Sequence, residues 1–182
     1  MEPSVIDPYP QPTYSLLNRA LRAGWGVVWL LLFRPTPRPL HRWRISVLRL
    51  FGARIGPNCA VYPGVKIWAP WNLECEDTVA IAEGVEIYNP ARLQLGSHAI
   101  VSQGAYLCGA THDMNSPEFP LIAKANSLGA YSWVCARATV MPGVSLGEGA
   151  VLALGGVATR DIPDWEVHAG VPAKRIGNRT KR

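Results

Sequence analysis

The sequence has no long apolar run. Its longest, Val27 to Phe33, falls well short of the ~20 residues that a membrane-spanning helix needs. It has no C-x-x-C pair either. Its four cysteines, Cys59, Cys75, Cys108 and Cys135, are widely spaced, which suits reduced, buried thiols in a cytoplasmic protein better than a disulfide framework or a zinc site. Charge is scarce: 17% of residues are charged and 48% are hydrophobic, the reverse of a disordered composition. The 17 glycines and 16 prolines follow no three-residue period, which excludes collagen. A secretory signal would be basic and then apolar, whereas Met1-Glu2-Pro3-Ser4 is acidic and proline-rich. A chain of 182 residues holds one sizeable core, or two small ones.

The charge it does have is unevenly placed. Residues 1–54 hold eight arginines against Glu2 and Asp7, while the rest of the chain is near neutral. No recognition motif accompanies these arginines, so nucleic acid is a poor partner. A membrane surface or an anionic substrate fits better.

An internal period sets the fold class. From Ile55 a branched aliphatic residue recurs every six positions, at Ile55, Val61, Ile67, Leu73, Val79 and Val85. After a four-residue slip at 91–94 it resumes at Leu95, Val101 and Leu107, then again at Leu128, Val134, Val140, Leu146 and Leu152. A helix repeats every 3.6 residues and a strand every two, so a period of six is neither. It fits one short flat strand plus one tight corner, with three such units closing a triangular coil. Small residues such as Ala99, Ala105, Ala138 and Ala150 suit the tight corners, and glycines and prolines supply the turns. The chain therefore reads as an all-β core: a parallel β-helix of hexapeptide repeats over 55–163, with an inserted loop at 113–127 and a short C-terminal segment, 164–182.

The segment before the coils reads as helical. Tyr14 to Phe33 carries Leu16, Leu17, Leu21, Trp25, Val28 and Leu32 at helical spacing, until Pro35, Pro37 and Pro39 break it. A second helix, Leu40 to Phe51, is expected to present Trp43, Val47, Leu48 and Phe51 on one side and arginines on the other. Residues 1–54 thus form a basic, amphipathic cap on the lower coil. Residues 14–51, with Trp25, Trp29 and Trp43, also suit peripheral contact with an anionic membrane.

Four histidines are available, and one stands apart. His41 lies in the basic segment, His98 at a corner and His168 after the last full repeat; all three read as surface residues. His112 ends the Leu107 repeat, immediately before the interruption at 113–127. An excursion from a regular coil is not needed for stacking and can form one wall of a cleft. Three histidines converging on zinc would need other spacings than these.

The repeats, the segment Gln103-Gly-Ala-Tyr-Leu-Cys-Gly-Ala-Thr-His112-Asp113 and the tail Ala169-Gly-Val-Pro-Ala-Lys-Arg-Ile-Gly177 together resemble the hexapeptide-repeat O-acetyltransferases. The likeness is to the colanic-acid biosynthesis acetyltransferases first, and more distantly to the galactoside and maltose acetyltransferases. It extends to Leu32-Phe-Arg-Pro-Thr-Pro-Arg-Pro-Leu40 and Leu50-Phe-Gly-Ala-Arg-Ile-Gly56. It implies a left-handed coil, a homotrimer with sites between subunits, and transfer of acetyl from acetyl-CoA to a sugar or saccharide hydroxyl. An N-acetyltransferase acting on an amino sugar and a non-catalytic trimeric scaffold are the alternatives.

Carried over residue by residue, the resemblance makes His112 the general base, a role that an imidazole with a pKa of ~6.5 fills at neutral pH. Asn89, Asp113 and Trp133 become acceptor-site candidates. Ala136, Leu154, Gly155 and Gly156 match positions where backbone meets pantetheine, and Thr159, Arg160, Lys174 and Arg175 match the phosphate end. Gly177 stands where sugar acetyltransferases often carry a further arginine; Arg175 or Arg179-Thr-Lys-Arg182 can compensate. Neighbours in an extended segment point to opposite faces, so a backbone carbonyl, or a carboxylate such as Glu118, suits the orientation of His112 better than Asp113 does. No metal is implied.

Overall fold

The computed structural model describes residues 13–181; Glu2, Asp7 and Arg182 lie outside them. Five coils stack along one axis, each built from three short strands. The first coil holds β1 (Arg54–Ile55), β2 (Ala60–Val61) and β3 (Lys66–Ile67). The second holds β4 (Leu73–Cys75), β5 (Ala80–Ile81) and β6 (Glu86–Tyr88); the third holds β7 (Leu93–Leu95), β8 (Ile100–Val101) and β9 (Tyr106–Cys108). A hairpin of β10 (Ala110–His112) and β11 (Leu121–Ala123) then leaves the coil. The fourth coil follows with β12 (Asn126–Leu128), β13 (Trp133–Val134) and β14 (Thr139–Val140), and the fifth with β15 (Ser145–Leu146), β16 (Val151–Leu152) and β17 (Val157–Ala158). A sixth turn begins with the bridge from Ile162 to Leu146 and continues as β18 (Glu166–Ala169) and β19 (Lys174–Asn178).

Three faces result: β1-β4-β7-β12-β15, then β2-β5-β8-β13-β16-β18-β19, then β3-β6-β9-β14-β17. All pairings along them are parallel except β18 with β19, which closes the upper end as an antiparallel hairpin. Branched aliphatics stack into columns in the interior, such as Val61, Ile81, Val101, Val134 and Leu152 beneath the second face. The small residues Ala99, Ala105, Ala138 and Ala150 are fully buried beside these columns, at the corners.

The register differs from the six-residue count at two places. Ile55 stacks on Cys75, and Cys75 on Leu95. The first two coils therefore each hold two extra residues at the third corner (between the third face and the first face of the next coil), in place of one four-residue slip at 91–94. Leu73, Val79 and Val85 are interior residues as well, two positions ahead of the true column. Both of these positions point inward and are apolar, so hexad spacing alone cannot distinguish them.

The N-terminal segment forms α1 (Leu16–Val28), a π-helical turn over Trp29–Phe33, and α2 (His41–Leu50). It answers a backbone problem. In the second coil, the carbonyls of Cys75, Ile81, Val85 and Ile87 accept N–H groups from the coil below. The equivalent carbonyls of the first coil have no coil beneath them. Side chains of the cap supply the donors instead: Arg49 Nε to Ile55 O at 3.1 Å, Arg44 Nε to Val61 O at 2.6 Å, Trp29 Nε1 to Val65 O at 2.8 Å and Trp25 Nε1 to Ile67 O at 2.6 Å. A buried carbonyl left unpaired costs about 1–3 kcal/mol, so these side chains are specified by the backbone they close.

Two expectations for this segment change accordingly. Arg44 is fully buried while Trp43 is 47% exposed, so these two residues exchange the expected sides, whereas Val47 and Leu48 are buried and Arg42 and Arg49 exposed as the pattern predicts. His41 is half-buried, its Nδ1 2.9 Å from Val61 O, and is part of the cap. The continuous helix Leu16–Phe33 also has length and mean hydropathy (1.2) enough to cross a membrane. It lies instead along the first coil, fastened by its two indoles.

Candidate active site

His112 sits on the inserted hairpin at the third corner. β10 pairs with β11 so that His112 lies opposite Leu121, and Asp113 N donates to Pro120 O at 3.0 Å. On the return strand's side, Lys124 rests against Gly143 one coil higher. The imidazole is exposed yet held. Its Nδ1 is 2.8 Å from Phe119 O, and its ring stacks on the Phe119 ring with centroids 4.5 Å apart and planes 9° from parallel. A carbonyl oxygen only accepts, so Nδ1 carries a proton, and in the neutral imidazole Nε2 then keeps its lone pair. Phe119 adopts φ 43°, a left-handed conformation that strains a bulky residue. That backbone turn aims both its carbonyl and its ring at His112.

The orienting group is thus a backbone carbonyl, one of the two kinds the sequence admits. Asp113 is spent elsewhere, its Oδ1 accepting from Asn115 N at 3.0 Å as a cap of the hairpin tip. Nothing in the residue types around 113–120 marks Phe119, because a main-chain carbonyl leaves no sequence signature.

Trp133 and the pantetheine-matching residues group together at a different place. Trp133 stands on the second face, its Nε1 donating to Ser102 Oγ at 2.8 Å, in a groove of about 390 Å³ shared with His98, Tyr131 and Arg179. The second corner follows directly. There Gly155 N donates to Ala136 O at 3.0 Å, and Leu154 projects outward, 74% exposed. Gly155 has φ 66° and a Cβ added there would meet open space. A side chain there would therefore project into that open space outside the second corner. Thr159 and Arg160 are exposed at the third corner, two coils above the hairpin, and Lys174 is exposed at the start of β19. Arg175 is already engaged, with Glu166 Oε1 at 3.2 Å and Asn178 Oδ1 at 2.9 Å.

Asn89 points inward. It is 2% exposed, its Oδ1 accepts from Ala69 N at 3.0 Å and its Nδ2 donates to Ala69 O at 2.9 Å. Both bonds hold the amide to the backbone and leave it almost no exposed surface, so its place is in the stack at the third corner. Outside the sequence-derived set, the third face carries a groove of about 280 Å³ lined by Lys66, Trp68, Glu86, Tyr88 and Tyr106. Tyr14 packs on Trp68, and the Arg22 guanidinium lies 4.4 Å over the Trp68 ring. No spacing rule brings Tyr14 and Arg22 beside Tyr88; only the cap's docking does.

The remaining reactive groups are quiet. His98 stacks on Tyr131, and His168 Nε2 lies 2.8 Å from Glu166 Oε2. Cys59 and Cys75 are buried, Cys108 and Cys135 are half-buried, and none is in a disulfide. Burial pushes the thiols of Cys59, Cys75 and Cys135 up from the ordinary value, away from the reactive thiolate. Among the described residues, no group of three His, Cys, Asp or Glu is placed to hold a metal ion.

No family model matches the chain. Individual relatives do. WcaF of Escherichia coli K12, an acetyltransferase named for colanic acid biosynthesis, is 35% identical over 157 residues, 86% of each chain. The galactoside O-acetyltransferase of the same organism is 28% identical over 147 residues, covering 73% of this chain and 67% of its own. In architecture, a hexapeptide-repeat acetyltransferase of Vibrio cholerae, solved with acetyl coenzyme A, superposes with a TM-score of 0.83 over 93% of both chains at 19% identity. Fold, extent of coverage and identity agree, and the chain belongs to the hexapeptide-repeat acetyltransferases, in the family of WcaF.

Proposed function

We propose that the protein transfers acetyl from acetyl-CoA to a saccharide hydroxyl in exopolysaccharide biosynthesis, with His112 Nε2 as general base. The observation that carries this reading is the tautomer fixed by Phe119 O at 2.8 Å, which turns a lone pair outward on an exposed hairpin. His112 takes the hydroxyl proton as the oxygen attacks the thioester carbonyl. Backbone amides of small residues in the adjacent coil stabilise the tetrahedral oxyanion. His112 then returns the proton to the departing thiolate, so the imidazole is restored. The names of the relatives support the sugar and the polysaccharide; the V. cholerae neighbour, bound to acetyl-CoA, supports the donor.

The working unit in this reading is a homotrimer. Within one chain His112 stands at the third corner, whereas Trp133, Ala136 and Leu154–Gly156 mark the second face and second corner. A cleft between neighbouring subunits sets one copy's hairpin against another copy's donor groove. The aromatic groove at Trp68 and Tyr88 suits the flat faces of sugar rings. We place the protein in the cytoplasm, with residues 14–51 in peripheral contact with the membrane.

The test is release of free thiol from acetyl-CoA on adding saccharide acceptors. Acceptor-dependent release by the intact protein is expected; silence across a broad acceptor panel would overturn the reading. Arg160 and Lys174 are exposed and, among the described residues, in no ion pair, so they suit phosphates remote from the reacting carbon. Replacing both with alanine should raise the KM for acetyl-CoA roughly tenfold with kcat nearly unchanged. A large fall in kcat at saturating donor would remove them from the phosphate end.

A further inference from the structure

The cap helix α1, with the π-helical turn that continues it to Phe33, is arranged the opposite way round from an ordinary surface helix. Its polar atoms face the protein: the indoles of Trp25 and Trp29 bond to first-coil carbonyls, and Arg22 lies over Trp68. Its outer side is apolar. Among the exposed residues from Leu16 to Leu32, Arg19 alone is charged, and the others are Leu, Val, Ala or Gly. Leu17, Leu21, Val27 and Leu31 run at helical spacing along that side, with Leu30 beside them, all exposed. A helix packed on a soluble core normally turns charged or polar residues outward, and only 11% of this 18-residue helix is buried.

The surroundings of the stripe narrow its partner. Between Pro8 and Leu73 the sequence has no Asp or Glu. Arg34, Arg38 and Arg42, all exposed, rim the C-terminal end of the stripe, where the proline-rich turn leads into α2. Trp43 is half-exposed there and its Nε1–H is satisfied by Leu32 O at 2.8 Å, leaving its ring free to lie against hydrocarbon. An apolar stripe bordered by cations and free of carboxylates is complementary to an anionic lipid leaflet.

We infer that the outer face of α1, with its arginine rim, inserts into one leaflet of an anionic membrane and holds the protein in the interfacial plane. This rests on the peripheral contact proposed above and adds its mode: apolar insertion, with charge as a supplement. Insertion would set the coil at a membrane where lipid-linked saccharide acceptors reside.

Flotation of the full-length protein with vesicles of phosphatidylcholine alone, or mixed with phosphatidylglycerol, tests this. Leu17→Gln, Leu21→Gln and Leu31→Gln together keep the net charge and change only exposed positions. Binding of the native protein to the mixed vesicles should persist in part at high salt, and the triple variant should lose about tenfold or more of it at low salt. Arg38→Gln with Arg42→Gln should weaken binding less, and only at low salt. Binding by the native protein that high salt abolishes and the leucine variant retains would overturn insertion while keeping a charge-only contact. No binding to either vesicle would overturn the membrane contact as well. A changed oligomeric mass for the leucine variant would show the face to be a subunit contact and would also overturn it. Acceptor-dependent thiol release by the same preparations reports separately on acetyl transfer.

Discussion

Replacing His112 with alanine should lower kcat by roughly a hundredfold or more, the usual loss on removing a general base. The fold should survive. His112 lies on a hairpin outside the coil, and its bonding and stacking partner, Phe119, belongs to the same hairpin. Thermal unfolding should therefore stay close to that of the native protein, and acetyl-CoA binding should be little changed, because the proposed donor contacts come from the second face and second corner rather than from the imidazole. Steady-state kinetics with a calorimetric melt reads all three. Near-normal turnover in a folded variant would remove His112 from the chemistry.

Arg44→Leu should produce the largest loss of stability of any single substitution in the cap. The Arg44 guanidinium donates to Val61 O, Thr36 Oγ1, Pro37 O and Arg38 O at 2.6–2.9 Å while fully buried. Desolvation pushes its pKa down from the ordinary arginine value, and the nearby charges of Glu83 and Tyr62 push it back. Burying a cation is costly in itself. The larger effect of the substitution is on the oxygens left without donors, including the first-coil carbonyl of Val61. Together these put the loss at about 3–5 kcal/mol, which for a chain of this size is on the order of 10 °C in Tm. Arg42→Leu, two residues away on the other side of α2 and exposed, should leave Tm almost unmoved. Equal melting temperatures for the two variants would show that Arg44 does not close the coil.

Which of these features the sequence reveals depends on whether side-chain pattern or backbone carries them. The coil is legible because aliphatics at a six-residue spacing have no alternative use, and His112 is legible because it sits where that spacing stops. The two-residue insertions at the third corner are not, since Leu73 and Cys75 are both buried and either can start a column. The inward-facing side chains of the cap are misread for a related reason. Arg44, Trp25 and Trp29 resemble a basic, aromatic surface until the carbonyls they serve are in place, and those carbonyls belong to residues at least 17 positions away. Asn89 reads as a polar residue near a site, yet a buried amide that both donates to and accepts from Ala69 serves the backbone. Phe119 contributes a main-chain oxygen, to which residue identity is nearly silent.

Mixed trimers test whether one chain's His112 acts on a donor held by its neighbour. Ala136→Trp would place a bulky ring at the proposed donor site by the second corner and leave the hairpin intact; His112→Ala would remove the base and leave the donor site intact. Each variant alone should be nearly inactive. Refolded together, they should regain a substantial fraction of native activity, because some clefts then pair an intact hairpin with an intact donor site. Mixtures no more active than the separate variants, in trimers shown to contain both chains, would place base and donor on the same chain and contradict the divided site.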